Sequence, residues 1–241
     1  MRSEAGSSAR EGYRHARAVR RHRAIVVSGL VGVAAAAGYA AVAWVRVAPA
    51  TSVLCLVWLV CLVLAWLLRP RPDPERWLRG AAGEEATARL LARLPARQWV
   101  VRHDLRIPGS RANLDHLVIG PSGVWVVDTK TTRAEVRARW GTVRFGGRRL
   151  DPEPTRWEAE VVADRLGVPV RALIVVHGPG LRRRGRWCGG VRVLPAAGLT
   201  RRLRRGRRRL APPEIVELAR RAGRAFRPAA RYVEKGTAPG G

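Results

Sequence analysis

The feature that most constrains the fold is a pair of strand-forming runs joined by the tetrapeptide Gly120–Gly123. The runs Asn113–Ile119 and Val124–Thr129 are rich in valine, leucine and isoleucine, and β-branched residues favour strands. Proline at the second position of the tetrapeptide and glycine at the fourth are typical of a type I turn. The pattern therefore predicts an antiparallel β-hairpin with its tip at Gly120–Gly123.

This hairpin would bring two carboxylates together. Counting outward from the turn, Asp115 faces Asp128, and directly facing side chains have Cβ atoms about 4.5–5.5 Å apart. Lys130 lies two residues after Asp128 and therefore points to the same face. The lysine is unusual here, because of 46 basic residues only Lys130 and Lys235 are lysine.

Two facing carboxylates repel each other unless a cation lies between them. Asp115 and Asp128 are therefore predicted to hold Mg²⁺ or Mn²⁺, with water and a substrate phosphate as further ligands. Lys130 would hold or help to deprotonate an attacking water, because a desolvated lysine near a cation has a lowered pKa. The alternative is that both aspartates pair with arginines and Lys130 is a solvated strand end. A bulge in the turn would also separate the two aspartates.

The pattern along the rest of the second half predicts an α/β or α+β fold, with a mixed sheet that contains the antiparallel hairpin and is flanked by helices. Further strands are predicted at Trp99–Leu105, Val143–Phe145, Val170–Val176 and Val191–Leu194, and helices at Gly83–Leu94, Thr155–Leu166 and Pro212–Phe226.

Two long uncharged stretches precede this region. Ala24–Val45 and Val47–Leu68 contain no charged residue apart from the intervening Arg46, and each is long enough to cross a bilayer of about 30 Å as a helix. They predict a transmembrane hairpin, at about 24–45 and 48–68. A signal peptide or a buried core hairpin are the alternatives. Arginine flanks both outer ends, which places both termini in the cytoplasm and the protein in the cell membrane.

These patterns divide the chain into five parts. They are a basic cytoplasmic segment (1–23), the two transmembrane helices (24–68), a linker rich in proline and arginine (69–79), a folded domain (80–228) and a flexible tail (229–241).

The charge balance indicates polyanionic partners. The formal net charge is +28, which favours association with nucleic acid or with anionic lipid. Residues 181–210 hold 12 arginines and no acidic residue. The residues predicted to contact phosphates are Arg182, Arg183, Arg184, Arg201, Arg202, Arg204 and Arg205. The sequence shows no zinc-ligand cluster, phosphate-binding loop or nucleophile elbow, and its three scattered cysteines suit a reducing compartment.

Three segments together carry a resemblance to a known family. They are GAAGEEATARLLARLP at Gly80–Pro95, NLDHLVIGPSGVWVVDTK at Asn113–Lys130 and RALIVVHG at Arg171–Gly178. They resemble the nuclease-related domain (NERD) family, which is grouped with the PD-(D/E)XK nuclease superfamily. The resemblance implies a metal-dependent phosphodiesterase core that acts on nucleic acid, with DNA as the expected substrate.

The resemblance also assigns roles to individual residues. Asp115 matches the first acid of the motif, Asp128 the second and Lys130 the lysine, and the backbone carbonyl of Thr129 is a further candidate metal ligand. Glu84 matches the helix glutamate that binds the metal or orients water; an acid that favours the helix dipole is its alternative role.

The sequence departs from the family pattern at two positions. The second acid is usually glutamate, whereas Asp128 is one methylene shorter. The helix after the hairpin lacks the glutamine that the family often carries, and Glu158 or Glu160 occupies that region. His116 alternates away from the acidic face, so it is expected to belong to the core or to support the metal ligands, and not to bind the metal itself.

The expected protein is a membrane-anchored, metal-dependent nuclease-like enzyme whose domain faces the cytoplasm. The main alternative is a catalytically silent tether that binds nucleic acid or anionic lipid through arginine. A third class is a structural membrane protein whose basic surface binds lipid.

Overall fold

The computed structural model describes residues 7–44, 57–64, 74–182 and 184–229. These residues fall into two compact units. One lies within residues 12–75, and the other contains the described residues from Arg76 onward.

The first unit is helical where it is described. Helix α1 spans Ser7–Trp44, and residues 57–64 are also helical. No helix among the described residues is long and apolar enough to cross a membrane. The predicted transmembrane hairpin is therefore unsupported there, and most of its second stretch lies outside the described residues.

The second unit is a mixed α/β domain, as predicted. Its helices are α2 (Pro74–Leu91), α3 (Glu153–Leu166), α4 (Leu199–Arg204) and α5 (Pro212–Ala225), with a 3₁₀ turn at Ala196–Gly198. Its strands are β1 (Val100–Arg106), β2 (Asn113–Gly120), β3 (Gly123–Thr131), β4 (Val136–Arg139), β5 (Thr142–Phe145), β6 (Arg148–Arg149), β7 (Val170–His177), β8 (Arg186–Cys188), β9 (Val191–Pro195) and β10 (Arg227–Pro228).

Strand β3 lies in the middle of the main sheet. The order of the seven strands is β10-β1-β2-β3-β7-β9-β8, and β4, β5 and β6 form a separate sheet. Strand β3 pairs antiparallel with β2 and parallel with β7. The predicted hairpin register is confirmed from Gly120–Gly123 to His116–Val127.

Alternate side chains of β3 build the cores on both faces of the sheet. Val126 packs in one core with residues of α3 and α5, among them Val162. Trp125 and Val127 pack in the other core with Leu91 of α2 and other apolar side chains. Because β3 is paired along both edges and buried on both faces, its backbone is a rigid base for the residues at its end.

The predicted elements of the domain agree with the structure to within two residues, except the first helix. That helix begins at Pro74 and not at Gly83, because a proline is tolerated in the first turn, where its missing N–H would have no partner. It ends at Leu91 and not at Leu94, since the next residues form tighter turns such as Leu94 N–H to the Leu91 carbonyl (3.0 Å). Strands β4, β6, β8 and β10 and helix α4 were not predicted.

Helix α2 approaches the end of β3 closely at Gly83. A Cβ atom built on Gly83 would lie 2.0 Å from Oγ1 of Thr131 and 3.3 Å from Cγ2 of Thr129. Only glycine permits this approach, and it brings the adjacent Glu84 to the end of β3. Gly80, one helical turn earlier, has no atom within 4 Å of the corresponding position.

We therefore expect opposite effects from the same substitution at these two glycines. Gly80→Ala should stabilise the domain by up to about 1 kcal/mol, the difference in helix propensity between glycine and alanine. Gly83→Ala should destabilise it despite the same gain, because the added methyl group would meet the side chains of Thr131 and Thr129, so that these side chains or the helix must move. Thermal unfolding followed by circular dichroism measures both, and equal effects at the two positions would contradict this packing.

Candidate active site

The end of strand β3 delivers Asp128, Thr129 and Lys130 to one edge of the domain. The alternation of the strand directs Asp128 towards α3, whose Thr155 donates a hydrogen bond from Oγ1 to Oδ2 of Asp128 (2.9 Å). Thr129 points to the opposite face, where its Oγ1 lies 3.0 Å from Oγ1 of Thr87 on α2. The three residues therefore connect the strand to helices on both faces of the sheet.

Asp115 reaches this site through a local irregularity in the sheet. The ladder between β2 and β3 ends at His116–Val127, so the predicted pair of Asp115 with Asp128 is not part of it. The carboxylate of Asp115 instead accepts the backbone N–H of Thr129 at 2.8 Å. On the other side of β2, the pairing with β1 skips Asp115 and Asp104, and Asp104 has a φ of 48°.

The closest partner of Asp128 is Lys130. Nζ of Lys130 donates to Oδ1 of Asp128 at 2.8 Å, so both oxygens of this buried carboxylate accept a hydrogen bond when the Thr155 contact is included. The alternative prediction gave Asp128 an arginine partner. Among the described residues its ion pair is with the lysine.

Negative charges are crowded around Asp115. Burial raises its pKa well above the ordinary value, and the charges of Asp128 and Glu84 raise it further, while the N–H of Thr129 and the charge of Lys130 act in the opposite direction. Glu84 is therefore close enough to act on Asp115 electrostatically. The site favours the binding of positive charge.

The pKa of Lys130 is raised in this arrangement, whereas the expected lowering concerned a lysine beside a bound cation and stays a prediction. Burial acts to lower the pKa of the ammonium, but the charge and hydrogen bond of Asp128, with the charges of Asp115 and Glu158, outweigh burial and raise it. Lys130 is therefore a protonated donor at neutral pH. Its side chain is 42% exposed, so the ammonium remains accessible from solvent.

Glu158 belongs to this site, whereas Glu160 does not. Burial and the charge of Asp128 raise the pKa of Glu158 to about 8, against a smaller opposing effect of Lys130. Glu160 is exposed and lies 3.7 Å from the guanidinium of Arg156. The sequence did not decide which of the two glutamates belongs to the site. The structural contact of Thr155 with Asp128 separates them, because Glu158 is three residues after Thr155 and lies on the same face of the helix.

A chain of buried hydrogen bonds lies beneath the site, on the face opposite Asp128. Nδ1 of His103 is 2.8 Å from Nδ1 of His116, and Nε2 of His116 is 3.2 Å from Oγ1 of Thr129. The chain continues through Thr87 to Nε2 of His177 (2.8 Å). Burial, reinforced by the neighbouring histidines, lowers the pKa of His116 to about 3, so it is a neutral core residue that points away from the acids.

The predicted arginines lie on other elements. Arg182 and Arg184 are exposed before β8, Arg201, Arg202 and Arg204 are exposed on α4, and Arg205 is exposed at its end; Arg183 lies outside the described residues. These arginines are separate in sequence and in secondary structure from the acidic residues.

The comparisons with known proteins match part of this domain. Residues 79–160 match the nuclease-related domain family. The matched range contains Glu84, Asp115, Asp128, Lys130 and Glu158, and it ends before the third segment of the resemblance, at 171–178.

One relative is an uncharacterized protein of Bacillus anthracis. It is 34% identical to this chain over 73 residues, which are 27% of this chain and 34% of the relative. This chain thus spans about a third of the length of that relative. No solved structure matches the chain.

The raised pKa of Glu158 predicts a specific pH dependence of stability. From its ordinary pKa of 4.5 up to about 8, the unfolded state releases a proton that the folded state retains, so the free energy of unfolding falls as the pH rises through this window. Glu158→Gln should therefore lose less stability than the unmodified chain between pH 5 and pH 8. Denaturant titrations in EDTA measure the difference, and Glu160→Gln is the control, in which the pH dependence should be retained.

Proposed function

We propose that this protein is a metal-dependent nuclease-like enzyme that acts on the phosphodiester bonds of nucleic acid, with DNA as the expected substrate. One observation carries the proposal. Within the range that matches the nuclease-related domain, the structure brings Asp115, Asp128 and Glu158 around one lysine. Sites that bind and cleave phosphodiesters combine carboxylates for a cation with a positive donor for phosphate oxygens.

The residues present fit a hard divalent cation such as Mg²⁺ or Mn²⁺. The side chains of Asp115 and Asp128 and the carbonyl of Thr129 would hold it, and all three supply oxygen, the donor that these ions prefer. No group of three or more His, Cys, Asp and Glu side chains in the described part of the chain is arranged around a common metal position. Two carboxylates with water and phosphate are, however, the usual set for Mg²⁺.

Asp128 can bind a cation and keep its present hydrogen-bond partners. Each of its oxygens accepts one hydrogen bond, from Lys130 or from Thr155, and a carboxylate has about four lone-pair positions. The crowding of Asp128 and Glu84 around Asp115, which raises the pKa of Asp115, is the repulsion that a cation would offset. When bound, the ion supplies Lewis-acid polarisation of a phosphoryl oxygen.

Lys130 acts as a charged donor in this proposal. An ammonium has three N–H groups, and one of them is donated to Asp128. The others are available for a phosphate oxygen or for the attacking water. Because Lys130 is protonated in this arrangement, the proton of that water needs another acceptor. Glu158 is the candidate in its deprotonated form, which a cation at the neighbouring carboxylates would favour, and its pKa of about 8 lies near the ambient pH.

A cleavage assay on the full chain tests the proposal. Labelled DNA should be cleaved with Mg²⁺ or Mn²⁺ and left intact in EDTA. Asp115→Asn and Asp128→Asn should each lower the rate by about 100-fold or more. Lys130→Met should lose activity, while Lys130→Arg, which preserves charge and donors, should retain a larger part of it. Glu135→Gln, an exposed acid that pairs with Arg137, is the control.

The outcomes separate the alternatives. Full activity of Asp128→Asn would contradict the assignment of the site. If the unmodified chain binds nucleic acid but does not cleave it with any divalent metal tested, the protein is a tether that binds through its exposed arginines. Binding to anionic vesicles without binding to nucleic acid would instead favour the lipid-binding role.

We further propose that residues 24–68 anchor the protein in the cell membrane, with both termini in the cytoplasm. The support is sequence: two uncharged stretches of membrane-spanning length with arginine on both outer flanks. A cysteine introduced at Gly241 should resist an impermeant thiol reagent in intact cells and react after lysis. Labelling in intact cells would contradict this orientation.

A further inference from the structure

A second concave site lies at the other end of the central strands. A cleft with a volume of about 400 Å³ is bounded by the start of β7, by α3, by α4 and by the turn between β8 and β9. The residues that line it include Trp125, Arg171, Trp187, Arg192 and Arg202. None of them belongs to the acidic site, and only Arg202 was among the arginines predicted to contact phosphates.

Aromatic rings hold three guanidinium groups in this cleft. The guanidinium carbon of Arg171 lies 4.7 Å from the ring centre of Trp125, and that of Arg202 lies 5.7 Å from it. Arg192 lies 5.3 Å from the ring centre of Trp187. Stacking on an aromatic face leaves the N–H groups at the edge of a guanidinium directed outward, so the three side chains present fixed donors.

Positive charge in the cleft is not neutralised by the described residues around it. Burial lowers the pKa of Arg171, and Arg209 and Arg202 lower it further. Burial, together with Arg202 and Arg186, acts in the same way on Arg192. Glu160 also lines the cleft, but it lies beside Arg156. Like charges brought this close cost free energy, which an anion between them would recover.

One donor of the cleft also lacks a partner. Nε of Arg192 is buried and has no hydrogen-bond partner among the described residues, although another nitrogen of the same guanidinium donates to the carbonyl of Arg184. A buried donor without a partner costs about 1–3 kcal/mol, and such groups in folded proteins call for a specific explanation.

We propose that this cleft binds a phosphate group of a nucleic acid strand, with Trp187 as a stacking platform for a neighbouring base. A planar guanidinium matches the geometry of phosphate oxygens, and the indole of Trp187 is 53% exposed beside Arg192. Basic grooves with an accessible aromatic ring are typical of sites for single strands. A lipid headgroup would use the arginines but has no base to stack on the indole.

The position of the cleft relates it to the acidic site, and in this respect the inference rests on the proposed function. Trp125 precedes Asp128 by three residues on β3, which is about 10 Å along a strand. Helix α3 borders both sites, because Thr155 binds Asp128 while Arg156 and Ala159 line the cleft. Trp125 and Asp128 point to opposite faces of the sheet, so a strand held in the cleft would reach the acids along α3.

Binding of labelled single-stranded DNA to the full chain in EDTA tests this inference without any cleavage. The double variant Arg171→Gln/Arg192→Gln should bind at least tenfold more weakly, and its salt dependence should fall by about 0.7 units of slope per lost phosphate contact. The matched control, Arg148→Gln/Arg149→Gln, removes the same charge from exposed positions of β6 outside the cleft and should lose less affinity. Circular dichroism verifies that both variants fold.

Two further variants separate stacking and guanidinium geometry from net charge. Trp187→Ala changes an exposed side chain and should weaken binding at least fivefold through lost stacking. Arg171→Lys keeps the charge at Trp125 but loses the planar fork, and it should bind more weakly than the unmodified chain.

The inference is overturned if the cleft variants bind DNA like the matched control. It is also overturned if they lose affinity for phosphatidylglycerol vesicles while DNA binding is unchanged, since the anion would then be a lipid headgroup. Failure of the proposed function has a different signature. In that case the cleft variants still lose DNA binding, while the unmodified chain does not cleave DNA with any divalent metal tested.

Discussion

The position of Thr129 is the constraint on which the rest of the site depends. Its backbone N–H is donated to Asp115 of β2, and its hydroxyl lies within hydrogen-bonding distance of His116 on β2 and Thr87 on α2. One residue thus joins two strands and a helix, and it lies between the two residues that carry the opposite charges, Asp128 and Lys130. Because these bonds are largely buried, the site is fixed before any ligand binds.

That fixed geometry holds charges at a distance where they act strongly on each other. Burial and mutual repulsion raise the pKa values of Asp115 and Glu158, and the same carboxylates raise the pKa of Lys130. The lysine partly neutralises the acids but does not cancel them. A divalent cation would favour the deprotonated forms of these acids and offset their repulsion, so the partly buried site is suited to such an ion.

Positive charge is concentrated at the opposite end of the same strands. Strands β3, β7 and β9 run parallel, so their starts share one edge of the sheet and their ends share the other. Arg171 and Arg192 lie near the starts, whereas Asp128 and Lys130 lie towards the end of β3. The parallel arrangement therefore separates an acidic centre from a basic cleft along one strand, and α3 borders both.

The sequence by itself determined six of the ten described strands, three of the four helices of the domain and the hairpin register, because residue alternation and turn chemistry act between neighbours along the chain. It also pointed to Asp115, Asp128 and Lys130, which one hairpin brings together. Tertiary structure alone decided that Asp115 turns to the N–H of Thr129, that Glu158 and not Glu160 joins the acids, and that Arg171, Arg192 and Arg202 meet around two tryptophans. These contacts join residues far apart in the sequence, and packing of helices on the sheet, which no local pattern encodes, sets their distances and pKa values.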